Sequence, residues 1–117
     1  MKSECMKYVK FVKIALSMLE SESVGHFRTS FPDVDDKALD AVWKLKDNPV
    51  LGISEVANST LSEISRRYIV PLRSLQNWSS GERQCPNYVW ILLAYAVFSD
   101  LNILEERKRA DTGGNNG

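Results

Sequence analysis

Histidine is almost missing from this chain: among 117 residues only His26 carries an imidazole. Transition-metal sites gather several ligands, and a Ser-His-Asp or Cys-His arrangement needs a histidine in a recognisable local setting. His26 has neither. It reads as a loop side chain, and no metal, no cofactor and no catalytic residue is expected. Cysteine is equally sparse. Cys5 and Cys85 lie far apart and form no C-x-x-C pair, so free thiols in a reducing compartment are expected rather than a disulfide. A long apolar run is lacking too. The longest, Val89 to Phe98 ("VWILLAYAVF"), has ten residues, whereas a membrane span needs roughly 20. The first residues, "MKSECMKYVK", alternate charge with apolar side chains and lack the apolar stretch of a signal peptide. A cytoplasmic protein with no membrane contact is the expectation. Net charge is also absent, with 15 basic against 15 acidic side chains.

What remains is ordinary globular material: 44% hydrophobic residues, enough for one domain with a modest core. The charges are unevenly spread. Residues 61–90 hold Arg66, Arg67, Arg73 and Arg83 against Glu63 and Glu82, a surplus of two positive charges. Residues 21–48 hold six acids against four bases, a surplus of two negative charges. A local basic patch with a compensating acidic segment suits a DNA binder of limited non-specific affinity, and suits other domains as well.

Helical periodicity accounts for most of the chain. From Cys5 to Leu19, Met6, Val9, Val12, Leu16 and Leu19 recur at helical spacing, although "YVKFVK" also fits a strand. "SESVGHFRTSFPDV" reads as a loop around Gly25 and Pro32. Asp33 or Asp35 can cap a helix with Ala38, Leu39, Val42, Trp43 and Leu45 on its apolar face. Asn48 caps, and Pro49 opens, a short helix weakened by Gly52. Thr60 and Glu63 form a T-x-x-E capping box for a helix from Leu61 to Tyr68. Pro71 opens another, from Leu72 to Ser80, which Gly81 ends. Asn87 caps a last helix running to about Leu104. No strand is required.

Two short helices that cross steeply need apolar residues on their inner faces and a small residue where the backbones approach. Between Leu61 and Ser80 the inner positions are Ile64, Tyr68, Val70, Leu75 and Trp78, with Ser65 at the close approach. Arg66, Arg67, Arg73, Ser74, Gln76 and Asn77 face outward. The stretch "LSEISRRYIVPLRSLQNWSSGERQCP" resembles the Cro/CI-type (XRE) helix-turn-helix regulators of phages and mobile elements, with their two-helix motif and G-x-R-x-x-P closure. The likeness covers about Pro49 to Leu101. Two positions depart from the pattern. Ile69 stands where the family usually has glycine, and a left-handed backbone there costs a β-branched residue about 1–2 kcal/mol. Ser79 stands where glutamate is common.

The resemblance implies an all-α fold of five to six helices with a lambda-repressor-like helix-turn-helix. Residues 1–48 would be a helical extension packed on the same domain, residues 49–104 the DNA-binding part, and residues 105–117 a disordered charged and Gly/Asn-rich tail. It also implies sequence-specific binding of double-stranded DNA as a transcriptional regulator, most simply a repressor that occludes a promoter. Carried over by position, Leu72, Arg73, Gln76 and Asn77 would read bases. Thr60, Ser74 and Arg83 would hold phosphates. Such modules commonly act as dimers on half-sites one helical turn apart, and the apolar last helix offers surface for a homodimer. The alternative is a protein-binding module on the same scaffold, an antitoxin or an inhibitor of a host defence protein, with its partner held by residues 1–48. No enzymatic constellation stands out.

Overall fold

The computed structural model describes residues 4–106. Over these the chain is mostly helical, with seven helices and one short ribbon that ties its two ends together. The ribbon pairs β1 (Glu4–Cys5) antiparallel with β2 (Glu105–Glu106), and Val34 bridges to Glu106 as well. No strand was expected, and Glu105 and Glu106 were expected in the tail; both expectations are corrected. A two-residue strand carries no period-two pattern, so nothing in the sequence announces it. The rest of the expected tail, residues 107–117, lies outside the described residues.

Helix α1 (Tyr8–Glu20) buries Phe11, Ile14, Ala15 and Met18. It starts later than expected because Cys5 belongs to β1 and Met6 is buried, its N–H donating to the Leu104 carbonyl at 2.7 Å. The far end of α1 is closed from a distance. The Lys46 ammonium donates to the Met18 and Leu19 carbonyls at 2.9 and 3.0 Å, a favourable place for a cation at a helix C-terminus. The expected loop after it contains a short helix, α2 (Val24–Thr29). Ser23 caps it by accepting from the His26 N–H at 3.2 Å, and buried Phe27 anchors it. One anchor in six residues is too little to register as periodicity. His26 therefore lies exposed on a helix rather than in a loop.

Helix α3 (Asp36–Trp43) is capped by Asp35, whose carboxylate accepts from the Lys37 N–H at 3.0 Å. Leu45 lies beyond its end yet is fully buried. Helix α4 (Pro49–Ala57) has the Asn48 cap and Pro49 opening read from sequence. Its Gly52 serves close packing: a Cβ there would run into the Lys44 carbonyl and lie 2.9 Å from Leu45 Cδ2. Helices α5 (Leu61–Tyr68) and α6 (Leu72–Ser80) follow, then α7 (Asn87–Asp100). The last helix stops four residues short of Leu104 because Asn102 turns left-handed at φ 58°, which drops Leu104 into the core.

There is one core. Phe11, Met18, Phe27 and Leu39 from the first part of the chain share it with Ile53, Leu75, Trp90 and Phe98 from the second. The Phe11 and Phe98 rings meet edge-to-face at 6.3 Å, an aromatic arrangement that adds to simple burial. The Tyr95 hydroxyl donates to the Met6 carbonyl at 2.6 Å. No helix among the described residues is long and apolar enough to cross a membrane.

Candidate nucleic-acid interface

Helices α5 and α6 form the unit on which the expected DNA contacts stand. The capping box at the start of α5 is formed: the Thr60 hydroxyl accepts from the Glu63 N–H at 3.1 Å, and the Glu63 carboxylate accepts from the Thr60 N–H at 2.7 Å. That Thr60 backbone bond holds the Glu63 carboxyl below its ordinary value, and Arg66 and Arg67 add to the effect. At the other end Ile69 adopts φ 57°, ψ 47°. It occupies a left-handed turn conformation that glycine would adopt without strain. Two bonds lock the turn. The Val70 N–H donates to the Ser65 carbonyl at 3.2 Å, and the Ser65 hydroxyl donates back to the Val70 carbonyl at 2.6 Å. Ser65 is thus small enough for the approach and polar enough to fasten it. The Tyr68 hydroxyl donates to Asp100 of α7 at 2.7 Å.

Burial divides α6 into two faces. Leu75 is wholly enclosed, while Arg73 and Gln76 are exposed and Leu72, Ser74 and Asn77 are half-buried. Trp78, expected among the inner core residues, is only half-buried; the fully enclosed tryptophan is Trp90 on α7, whose indole N–H donates to the Asn87 side-chain oxygen at 3.0 Å. Trp78 lies too near the end of α6 to be covered on all sides. It walls a surface cavity of about 410 Å³ instead, beside Lys46, Asn48 and Trp90.

The first turn of α6 has no side-chain cap, since Pro71 stands at that position. Its leading N–H groups therefore have no side-chain acceptor at the cap. At the last turn Gly81 takes φ 88°, and the Arg83 N–H donates to the Asn77 carbonyl at 3.2 Å. This return brings Arg83 beside α6. Arg73, Asn77, Glu82 and Arg83 together line an open depression of about 500 Å³. Three of the seven sequence-chosen residues are thereby gathered at one place. Glu82 joins them without having been chosen; only its adjacency to Arg83 could have signalled it. Gln76 and Leu72 lie elsewhere on the helix, and Ser74 stands in its first turn.

Thr60 is on a different footing. Its hydroxyl oxygen and N–H are both engaged with Glu63, and a carboxylate already sits at that helix start. A phosphate would meet a negative charge there, which opposes the phosphate-holding role expected of this residue. Arg66 and Arg67, exposed on α5, were read as outward but not as contacts. The ion pairs among the described residues join Lys10 with Glu106, Arg28 with Asp40, and Lys44 with Glu55. None engages Arg66, Arg67, Arg73 or Arg83. Four exposed guanidinium groups outside any ion pair among the described residues are suited to binding phosphate or base edges bidentately. The nearest thiol, Cys85, is pushed up to about 11 by burial, so it stays protonated and unreactive at neutral pH.

Comparison with protein-family models, curated proteins and solved structures finds no match for this chain.

Proposed function

We propose that this chain is a sequence-specific DNA-binding regulator that lays α6 in the major groove and represses by occluding a promoter. One observation carries the reading. Arg73 and Gln76 reach solvent from a helix whose opposite side is fixed by fully buried Leu75. A short helix held by its back and polar on its front can enter a groove about 12 Å wide. In this reading Arg73 bonds guanine O6 and N7, and Gln76 or Asn77 adenine N6 and N7. Leu72 contributes an apolar contact to a thymine methyl. Arg83, Ser74 and the open start of α6 are suited to phosphates, which set register. Arg66 and Arg67 add positive potential on the neighbouring helix.

Selection of binding sites from random duplexes, followed by anisotropy titration of the winner against shuffled DNA, tests this. A specific duplex should bind at least 10³-fold more tightly than shuffled sequence. Affinity should fall steeply with salt as counterions are released. No enrichment, or equal affinity for every duplex, overturns the reading and favours a protein-binding module on the same scaffold.

A further inference from the structure

Gly81 ends α6 in a left-handed turn, and the chain then runs through Arg83 and Cys85 to the start of α7. Residues from Lys46 to Val50 meet the same end of α6, because Asn48 caps α4 and also donates to the Ser79 carbonyl. Between the two segments lies the cavity of about 410 Å³ that Trp78 walls. Small-molecule sites occupy about 300–1,000 Å³. The cavity is separate from the front of α6, since neither Arg73 nor Gln76 lines it.

Its lining has two kinds of chemistry. The apolar part is Trp78 and Trp90 with Leu19, Pro49 and Val50. The Trp90 indole N–H is satisfied by Asn87 at 3.0 Å, whereas that of half-buried Trp78 has no acceptor among the described residues. Trp78 therefore offers a flat ring and a free donor. The polar part holds Lys46 and Arg83 against Asp47, a surplus of one positive charge. None of the three belongs to an ion pair among the described residues. The half-buried Lys46 ammonium is fixed by the Met18 and Leu19 carbonyls, which leave its charge in place. Arg83 is exposed, and its planar fork matches a carboxylate. The Arg83 N–H, bonded to the Asn77 carbonyl at 3.2 Å, sets this fork beside the residue next to Trp78. A ligand cation would meet two positive charges against one carboxylate, and a neutral molecule would leave the surplus unanswered.

We propose that this cavity binds a small planar aromatic carboxylate, its ring against Trp78 and its acid group on Arg83, within the field of Lys46. The site itself does not depend on the DNA reading. One consequence does rest on that reading. Arg83 also walls the depression beside Arg73 and Asn77, so a bound acid takes the guanidinium that a DNA phosphate would use. The ligand then acts as an effector that loosens the protein from its duplex.

Calorimetric titration of the full chain with cinnamate, cinnamyl alcohol and cinnamylamine tests it, since the three probes share one planar frame and differ in charge. Cinnamate should bind with a Kd of about 0.1–1 mM, the scale expected of so small a ligand at an open site. The alcohol should bind about tenfold more weakly, for want of the charge-assisted bond, and the amine more weakly still. Arg83→Gln should weaken cinnamate about tenfold and leave the alcohol within about twofold. Trp78→Leu should weaken both by about tenfold; should that variant fail to fold, Arg83→Gln decides alone. Arg67→Gln removes the same charge from α5 and should change nothing. Three probes of equal affinity overturn the proposal. So does a chain that takes up no cinnamate at millimolar concentration, or cinnamate binding that Arg83→Gln leaves intact. Saturating cinnamate should also weaken binding of the selected duplex about tenfold in the wild type and not in Arg83→Gln; an unchanged duplex affinity refutes the effector role. A chain that binds cinnamate but no duplex refutes only the DNA reading, and one that binds a duplex selectively but no cinnamate refutes only this inference.

Discussion

Replacing Ile69 by glycine should stabilise the fold, although it deletes a large hydrophobic side chain. Of the non-glycine residues with positive φ among those described, Asn58 and Asn102 are of the type that tolerates it; Ile69 at φ 57° is not. A left-handed conformation costs a residue with a Cβ about 1–2 kcal/mol, and branching places Ile69 at the upper end. Glycine removes that cost but adds about 0.5–1 kcal/mol of backbone entropy to be lost on folding. Little burial is forfeited, because the side chain is mostly exposed. The net gain is about 0.5–1 kcal/mol, equivalent to about 2–8 °C in Tm for a chain of this size. Urea unfolding of the two proteins measures the difference. Ile69→Ala is the control: it removes the side chain but keeps the strain, so the glycine variant should exceed it by about 1 kcal/mol. A glycine variant no more stable than the alanine one would refute the strain argument. Loss of stability in both would show that the Ile69 side chain supports the fold.

The other predictions concern the core, the caps and the outward face of α6. Trp90→Ala should destabilise by about 3–5 kcal/mol, and Trp78→Ala by clearly less, since only Trp90 is enclosed; equal losses in thermal melts would contradict the burial difference. Gly52→Ala should lower stability by about 1–3 kcal/mol despite alanine's better helix propensity, because the added methyl meets the Lys44 carbonyl and Leu45; a stabilised variant would mean that α4 can move away freely. Glu63 has a lowered folded-state pKa, so its contribution is present above the ordinary value of 4.5 and is lost as pH falls through the lowered one. Glu63→Gln should therefore flatten the acid side of the stability profile, and a profile unchanged from wild type would remove the capping box from that role. Arg73→Ala should cost about 1–3 kcal/mol at one operator base pair with the fold intact, whereas uniform weakening on all sequences would assign Arg73 to a phosphate.

Most features set by neighbouring residues were legible in the sequence; the start of α7 was not, since Pro86 rather than the expected Asn87 stands at its cap position. Asn48 with Pro49, Thr60 with Glu63, and Gly81 each act within three or four positions, and each forms as its residue types demand. Features set by distant residues were not. Met6 and Leu104 are brought together by one backbone bond across the whole domain, and no local pattern encodes that meeting. Trp78 and Trp90 look alike in sequence, both on apolar stripes. Their different burial follows from position, one at the end of α6 and one inside the helix at the centre of the core. The same limit applies to the site. The outward face of α6 could be read from spacing, but the return that sets Arg83 and Glu82 beside Arg73 depends on the conformation after Gly81.

The first 48 residues then have a structural role that the two-helix motif alone does not suggest. The Asn48 side chain serves two helices at once: its oxygen caps α4 by accepting from the Leu51 N–H at 3.2 Å, and its amide donates to the Ser79 carbonyl at the end of α6 at 3.0 Å. Two residues earlier, Lys46 holds the end of α1, with its ammonium 5.2 Å above the Trp43 ring. A short chain segment thus links α1, α4 and the C-terminal end of α6, while the turn at Ile69 fixes the other end. An isolated helix of nine residues is marginal in water. Held at both ends and along its buried side, α6 can keep its polar side chains in one orientation, and a contact surface set in advance loses less entropy when it binds.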